Sequence, residues 1–93
     1  MPKIKLTGYV IVPPARRAAV EQGLKAHIDL TRAETGCELF DVRFCEHDPR
    51  RLLVHELFTS RAAFDAHQSR AAKTVWADIT AGLKRHYSLE HIK

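Results

Sequence analysis

Ninety-three residues supply one hydrophobic core and not two, and a chain this short leaves roughly a third of its unfolded surface uncovered, which favours a second subunit. Hydrophobic residues at 45% and charged residues at 28% exclude a disordered or collagen-like chain. The net charge of +4 is dispersed among acidic neighbours, its densest basic group being Lys84-Arg85-His86, so no nucleic-acid partner is expected.

No apolar run approaches the roughly 20 residues that cross a bilayer, and Met1–Lys5 leads into Leu6-Thr7-Gly8 rather than a signal-peptide core. The expectation is a cytoplasmic protein without membrane contact. Cys37 and Cys45 fall in one expected strand, roughly 26 Å apart at about 3.3 Å per residue, whereas a disulfide needs Cα atoms within about 7 Å. Two free thiols fit a reducing compartment.

Residues 1–93 read as a single domain. Lys3 to Val12 is rich in β-branched and aromatic residues and suits a strand with apolar groups on both sides. Pro13-Pro14 ends it, and Pro14 starts a helix running to Glu34 whose buried face carries Val20, Leu24, His27, Ile28 and Thr31. Thr35-Gly36 supplies a left-handed stop. Cys37 to Glu46 returns to period two, with Phe40, Val42 and Phe44 on one side. His47-Asp48-Pro49-Arg50 is a turn, so Arg51 to Thr59 pairs back as a hairpin. Ser60 caps a short helix to Ser69 bearing Phe64 and His67. Ala71 to Leu83 shows a stripe of Ala72, Val75, Trp76, Ile79 and Leu83 and reads as a further helix. Lys84 to Lys93 closes the chain as a strand with Tyr87, Leu89 and Ile92.

The order β-α-β-β-α-α-β is an α+β, ferredoxin-like split β-α-β arrangement, with a four-stranded antiparallel sheet and helices on one face. Tyr9, Ile11, Leu39, Leu53, Leu57 and either Leu89 or Ile92 then remain on a face those helices cannot cover. Packing two sheets face to face in a homodimer covers it.

Six histidines raise the question of a metal, but none are spaced i, i+4 on a helix, His86 and His91 point to opposite faces of one strand, and no CxxC or HExxH occurs. No metal site is expected. The four glycines are scattered one per element and form no phosphate cradle. Cys37 and Cys45, beside Glu38 and Glu46, read as buried apolar groups rather than nucleophiles. The remaining constellation is His67 with Glu56 on the preceding strand, among Phe40, Phe58, Phe64 and Trp76. Imidazole beside a carboxylate over an apolar floor suits proton transfer near neutrality, and the same pair also reads as a structural tie between helix and strand. Tyr9, Tyr87 and Trp76 offer rings with a polar handle to orient a planar ligand, although Trp76 lies on its helix's apolar stripe and reads first as core.

Thr31-Arg32-Ala33-Glu34-Thr35-Gly36-Cys37, Phe40-Asp41-Val42, Val54-His55-Glu56-Leu57-Phe58 and Ala62-Ala63-Phe64-Asp65-Ala66-His67, in this order and spacing, resemble the antibiotic biosynthesis monooxygenase family and its quinol monooxygenase branch. The resemblance implies a dimeric α/β barrel with one pocket per subunit between sheet and helices. It further implies an oxidoreductase without cofactor, in which a quinol or polyhydroxy-aromatic substrate reacts with dioxygen itself. His67 is then the base, Glu56 orients it, Phe40, Phe58 and Phe64 form a dry aromatic pocket with Trp76 nearby, and Tyr9 or Tyr87 bonds a substrate oxygen. The chain departs from the family where many members carry Trp and it has Phe58. Haem degraders on this fold resemble it less, because no Asn occurs in the chain. Two other activities of the fold stay open: a non-catalytic dimer that binds a small ligand, and an isomerase of a small metabolite.

Overall fold

Side-chain alternation decides the first strand. In β1 (Lys3–Ile11) the even positions Ile4, Leu6 and Val10 are buried against helices, while Lys5, Thr7, Tyr9 and Ile11 lie on the other face. The computed structural model describes residues 2–93; Met1, the first residue of the expected domain, lies outside them. Pro13, extended, leads into α1 (Pro14–Arg32), whose Val20, His27 and Thr31 are buried.

This helix ends two residues short of Glu34. Gly36 takes a φ of +89°, and a Cβ there would stand 2.6 Å from the Ala63 Cβ, so the chain turns where only glycine fits. The Glu34 N–H bonds the Thr31 carbonyl at 3.0 Å in that turn, and the Glu34 side chain reaches across to the helix that carries His67 and Arg70.

β2 (Cys37–Phe44) and β3 (Arg51–Phe58) form the expected hairpin, with a register shift between Cys37 and Leu39. β2 stops at Phe44 rather than Glu46, because Asp48 Oδ1 accepts the Arg50 N–H at 3.0 Å and closes the turn early. Leu52, Val54, Glu56 and Phe58 of β3 are buried on the helical face. The Ser60 hydroxyl accepts the Ala63 N–H at 3.1 Å and opens α2 (Arg61–Ala71), two residues longer than the Ser69 end read from sequence.

The expected helix from Ala71 to Leu83 is corrected to a five-residue α3 (Val75–Ile79). Thr74 is extended, with its hydroxyl on the Ala71 carbonyl at 2.7 Å, and the Thr80 hydroxyl bonds the Trp76 carbonyl at 2.8 Å. Each threonine competes for backbone that a longer helix would need. The expected stripe therefore breaks up: Val75 is 70% exposed, Trp76 and Ile79 are half-buried and only Leu83 is buried.

β4 (Arg85–Ile92) pairs antiparallel with β1, giving the sheet order β2-β3-β1-β4. Gly8 makes this pairing possible, since a Cβ there would meet the His86 carbonyl oxygen at 1.9 Å. The register sets Tyr87 opposite Gly8 and Arg85 opposite Val10, so both share the helical face. Leu89, opposite Leu6, shares it too, whereas Ile92, opposite Lys3, joins the open face. The ferredoxin-like fold read from sequence is the one observed: four antiparallel strands with all helices on one side. Ile4, Val12, Val20, Leu52 and Phe58 fill the layer between, each side chain contributing about 1.5–3 kcal/mol by burial.

Candidate active site

Between the sheet and the helices lies a cleft of about 320 Å³, lined by His27 of α1, Glu56 of β3, His67 of α2, Trp76 of α3, and Arg85 and Tyr87 of β4. A narrow inner chamber of about 50 Å³ continues it between Phe40, Val42, Leu52 and Val54. β1 contributes the apolar Leu6, and the other elements that meet the cleft each set one or two polar groups among apolar ones, the form common to small-molecule sites.

His67 is buried at the cleft's floor. Its ring stacks on Phe58 at 5.0 Å between centroids and meets Phe40 edge-on at 5.6 Å. Its Nδ1 lies 2.7 Å from Glu34 Oε1, and Arg70 Nε donates to the other Glu34 oxygen. Arg70 Nη2 also bonds the Thr31 hydroxyl at 3.1 Å. Arg70, Glu34 and His67 thus form a chain of charge-assisted bonds.

Glu34 works against burial, yet the hydrogen bonds from Arg70 and His67 hold its carboxyl below the usual range. It is an acceptor only, so His67 donates from Nδ1 and keeps the Nε2 lone pair free. Burial holds His67 below the ordinary imidazole value, against the pull of Glu34, which keeps the ring neutral. Nε2 stands 3.9 Å from Glu56 Oε1, too long for a hydrogen bond. That oxygen is buried with no partner among the described residues. Burial and the Glu34 charge push the Glu56 carboxyl up to about 7, so near neutrality it is ready to hold or release a proton. One hydroxyl oxygen placed at about 2.8 Å from both Nε2 and Oε1 closes a triangle on their separation and satisfies both.

His27 is the second buried imidazole. It stacks on Trp76 at 4.6 Å with the rings within 9° of parallel. Burial first, then repulsion by His67 whenever that ring is protonated and by the Arg70 charge, hold it at about 4, and its Nδ1 also lacks a partner among the described residues.

The residues singled out from sequence are distributed unevenly around this site. His67, Glu56, Trp76 and Tyr87 line the cleft, and Phe40 lines its inner chamber. Phe58 backs the His67 ring, while Phe64 is one layer removed, packed edge-on against Phe58 at 5.8 Å. Tyr9 is on the opposite face of the sheet: it stacks on His86 at 4.9 Å under the Arg51 guanidinium. The partner within hydrogen-bond reach of His67 is Glu34, not Glu56. Glu34, Arg70, His27 and Arg85 were not singled out. The available signal was Arg70 three residues after His67, on the same face of one helix.

Cys37 and Cys45 are both free. Burial, with Glu34 and Glu56 nearby, pushes the Cys37 thiol up, away from nucleophilic use. Among the described residues no cluster of His, Cys, Asp and Glu is disposed to hold a metal ion. Among the described residues no helix is long and apolar enough to cross a membrane.

Comparison with solved structures supports the fold along the whole chain. A Nitrosomonas europaea protein, provisionally named an antibiotic biosynthesis monooxygenase, superposes with a TM-score of 0.84 at 21% identity, covering 96% of this chain and 88% of that one. A protein from Shewanella oneidensis gives 0.77 at 25% identity over 97% and 90%, and a conserved protein from Methanosarcina mazei gives 0.79 at 18% over 100% and 95%. Among curated proteins no sequence matches. The profile of the antibiotic biosynthesis monooxygenases matches residues 4–78, from the first core position of β1 into α3, and the chain belongs to that family.

Proposed function

We propose that the protein is a cofactor-independent monooxygenase of the cytoplasm that oxidises a quinol or other polyhydroxy-aromatic compound with dioxygen. The observation that carries the reading is the buried His67, fixed at Nδ1 by Glu34 and presenting a free Nε2 beside an unpartnered Glu56 oxygen. His67 Nε2 takes the phenolic proton, and the imidazolium formed is stabilised through Nδ1–H by Glu34, itself fixed by Arg70. The substrate anion passes one electron to dioxygen, and the two radicals join through a new C–O bond at a ring carbon bearing hydrogen. The O–O bond then breaks. One oxygen leaves as water with two hydrogens of the substrate, and the other stays as a carbonyl, so a dihydroxybenzene becomes a hydroxyquinone. Glu56 is placed to supply a proton to the departing oxygen. Phe40, Phe58 and, behind it, Phe64 keep the floor dry, with Trp76 and Tyr87 flanking the ring.

The test is oxygen uptake and quinone absorbance with a panel of hydroquinones and polyhydroxy-aromatics, run aerobically and anaerobically. Quinone formation that requires the protein and consumes one dioxygen per ring supports the reading. No uptake across the panel overturns it, and tight binding without turnover points to the ligand-binding alternative.

The functional unit is proposed to be a homodimer joined through the open sheet face. That face carries Tyr9, Ile11, Leu39, Leu53, Leu57 and Ile92, with Leu39 and Leu53 more than a third exposed. Light scattering is expected to give about twice the chain mass of 10.6 kDa. Leu57→Glu, which would bury an unpaired carboxylate at several kcal/mol, is expected to yield monomers, and a monomeric wild type would remove the proposal.

A further inference from the structure

Arg85 is the cation of the cleft, and the proposed reaction gives it no task. It lines both the cleft and the inner chamber. Its hydrogen bonds reach neutral oxygens: Nη1 donates to the Leu83 carbonyl at 3.1 Å, and Nη2 to the Thr80 carbonyl at 3.3 Å and the Thr80 hydroxyl at 3.0 Å. Three of the five guanidinium N–H groups are thereby used, which fixes the group in place; the donors on Nε and Nη1 remain, with the Tyr87 hydroxyl within reach of the group. The acids of the site are committed elsewhere, Glu34 to Arg70 and His67 and Glu56 beside the His67 Nε2. A guanidinium held by carbonyls, aimed into a cleft and not neutralised by a carboxylate there, is a receptor for an anion.

The sheet register says where the anion sits. Across β1, Glu56 lies opposite Leu6 and Arg85 opposite Val10. The two are therefore four residues apart along the strand direction, about 13 Å at about 3.3 Å per residue. The long Arg85 side chain and one aromatic ring together cover that distance, with Tyr87 between them on the same wall.

We propose that the substrate is a hydroxy-aromatic carboxylate, bound with its acid group on Arg85 and its hydroxyl between His67 and Glu56. This rests on the monooxygenase reading only for the chemistry at the hydroxyl end; the anion end stands on Arg85 alone. The net charge of +4 adds mild long-range attraction for such an anion.

Calorimetry on the full chain tests it with three probes: 2,5-dihydroxybenzoate, the matching 2,5-dihydroxybenzamide and hydroquinone. The carboxylate is expected to bind at least tenfold more tightly than the amide, the usual scale of a charge-assisted pair in a cleft. Arg85→Gln is expected to erase the difference between acid and amide, and Arg85→Lys to restore part of it. Equal affinities for acid and amide in the wild type, weaker binding of the acid, or no binding of the acid overturn the proposal. The wild-type comparison does so without any variant, whether or not Arg85→Gln folds. Oxygen uptake measured on the same three probes separates the two readings: an acid preference without uptake keeps the anion site and removes the monooxygenase, and uptake with neutral quinols and no acid preference does the reverse.

Discussion

His67→Ala is expected to lower turnover of an oxidised polyhydroxy-aromatic by roughly 10²- to 10⁴-fold, the share typical of a positioned general base. The ring is buried at the cleft's floor, yet its removal leaves the sheet and the Phe58–Phe64 contact in place, so the variant is expected to fold. Glu34→Gln is expected to come close to the same loss by another route. An amide at position 34 can donate to Nδ1, which moves the imidazole proton to Nε2 and removes the lone pair the reaction needs. The double variant should then be little worse than His67→Ala, because both changes disable one unit. Melting temperature and turnover read on the same samples decide. Unchanged turnover per folded molecule in His67→Ala removes His67 from the mechanism, and full activity in Glu34→Gln limits Glu34 to a structural tie.

The second large effect concerns stability. Glu56 has an ordinary value of 4.5 and titrates at about 7 in the folded protein, because burial and the Glu34 charge disfavour its ionised form. A carboxyl raised in this way costs nothing below about pH 4.5, where it is neutral folded and unfolded alike. From there the unfolded chain loses the proton first, so the folded state loses stability as pH rises to about 7 and stays penalised above it. The full difference is worth about 3 kcal/mol. Glu56→Gln removes it: the variant should match the wild type near pH 4.5 and exceed its melting temperature by roughly 10 to 20 °C at pH 8, given the sensitivity of a domain this small. A difference between the two proteins that does not grow with pH would show that Glu56 is not held near neutrality in the cleft. Wild-type retention of so costly a group is itself an argument that it serves the site.

How far the sequence discloses this molecule depends on which signals are local. The β2–β3 hairpin and the Ser60 cap rest on alternation and turn chemistry within a few residues, and both are found where they were expected. The length of α3 was overread because an apolar stripe counts Ala72 and Val75 as partners, while Thr74 and Thr80 spend their hydroxyls on the backbone that would have continued it. His67 and Glu56 were visible as residues facing one another from adjacent elements. Glu34 was not, since its reach to α2 depends on the helix ending at Arg32 and the chain turning through Gly36, and from periodicity the residue is only the tail of a helix. The parity of Tyr9 against Ile4, Leu6 and Val10 was legible and puts it on the open face; that of Tyr87 and Arg85 depended on the β1–β4 register, which no local pattern states.

The brevity of α3 reaches beyond its own five residues. A helix of little more than one turn cannot hold itself together in water, where even favourable sequences need about 12 residues or more. Its order is borrowed, through Trp76 lying flat on His27 and Ile79 in the core's margin. This wall of the cleft is therefore held by what it packs against, and least by its own helical bonds. An occupant that packs beside Trp76 adds contacts to that wall and, by binding only its folded form, stabilises it against fraying.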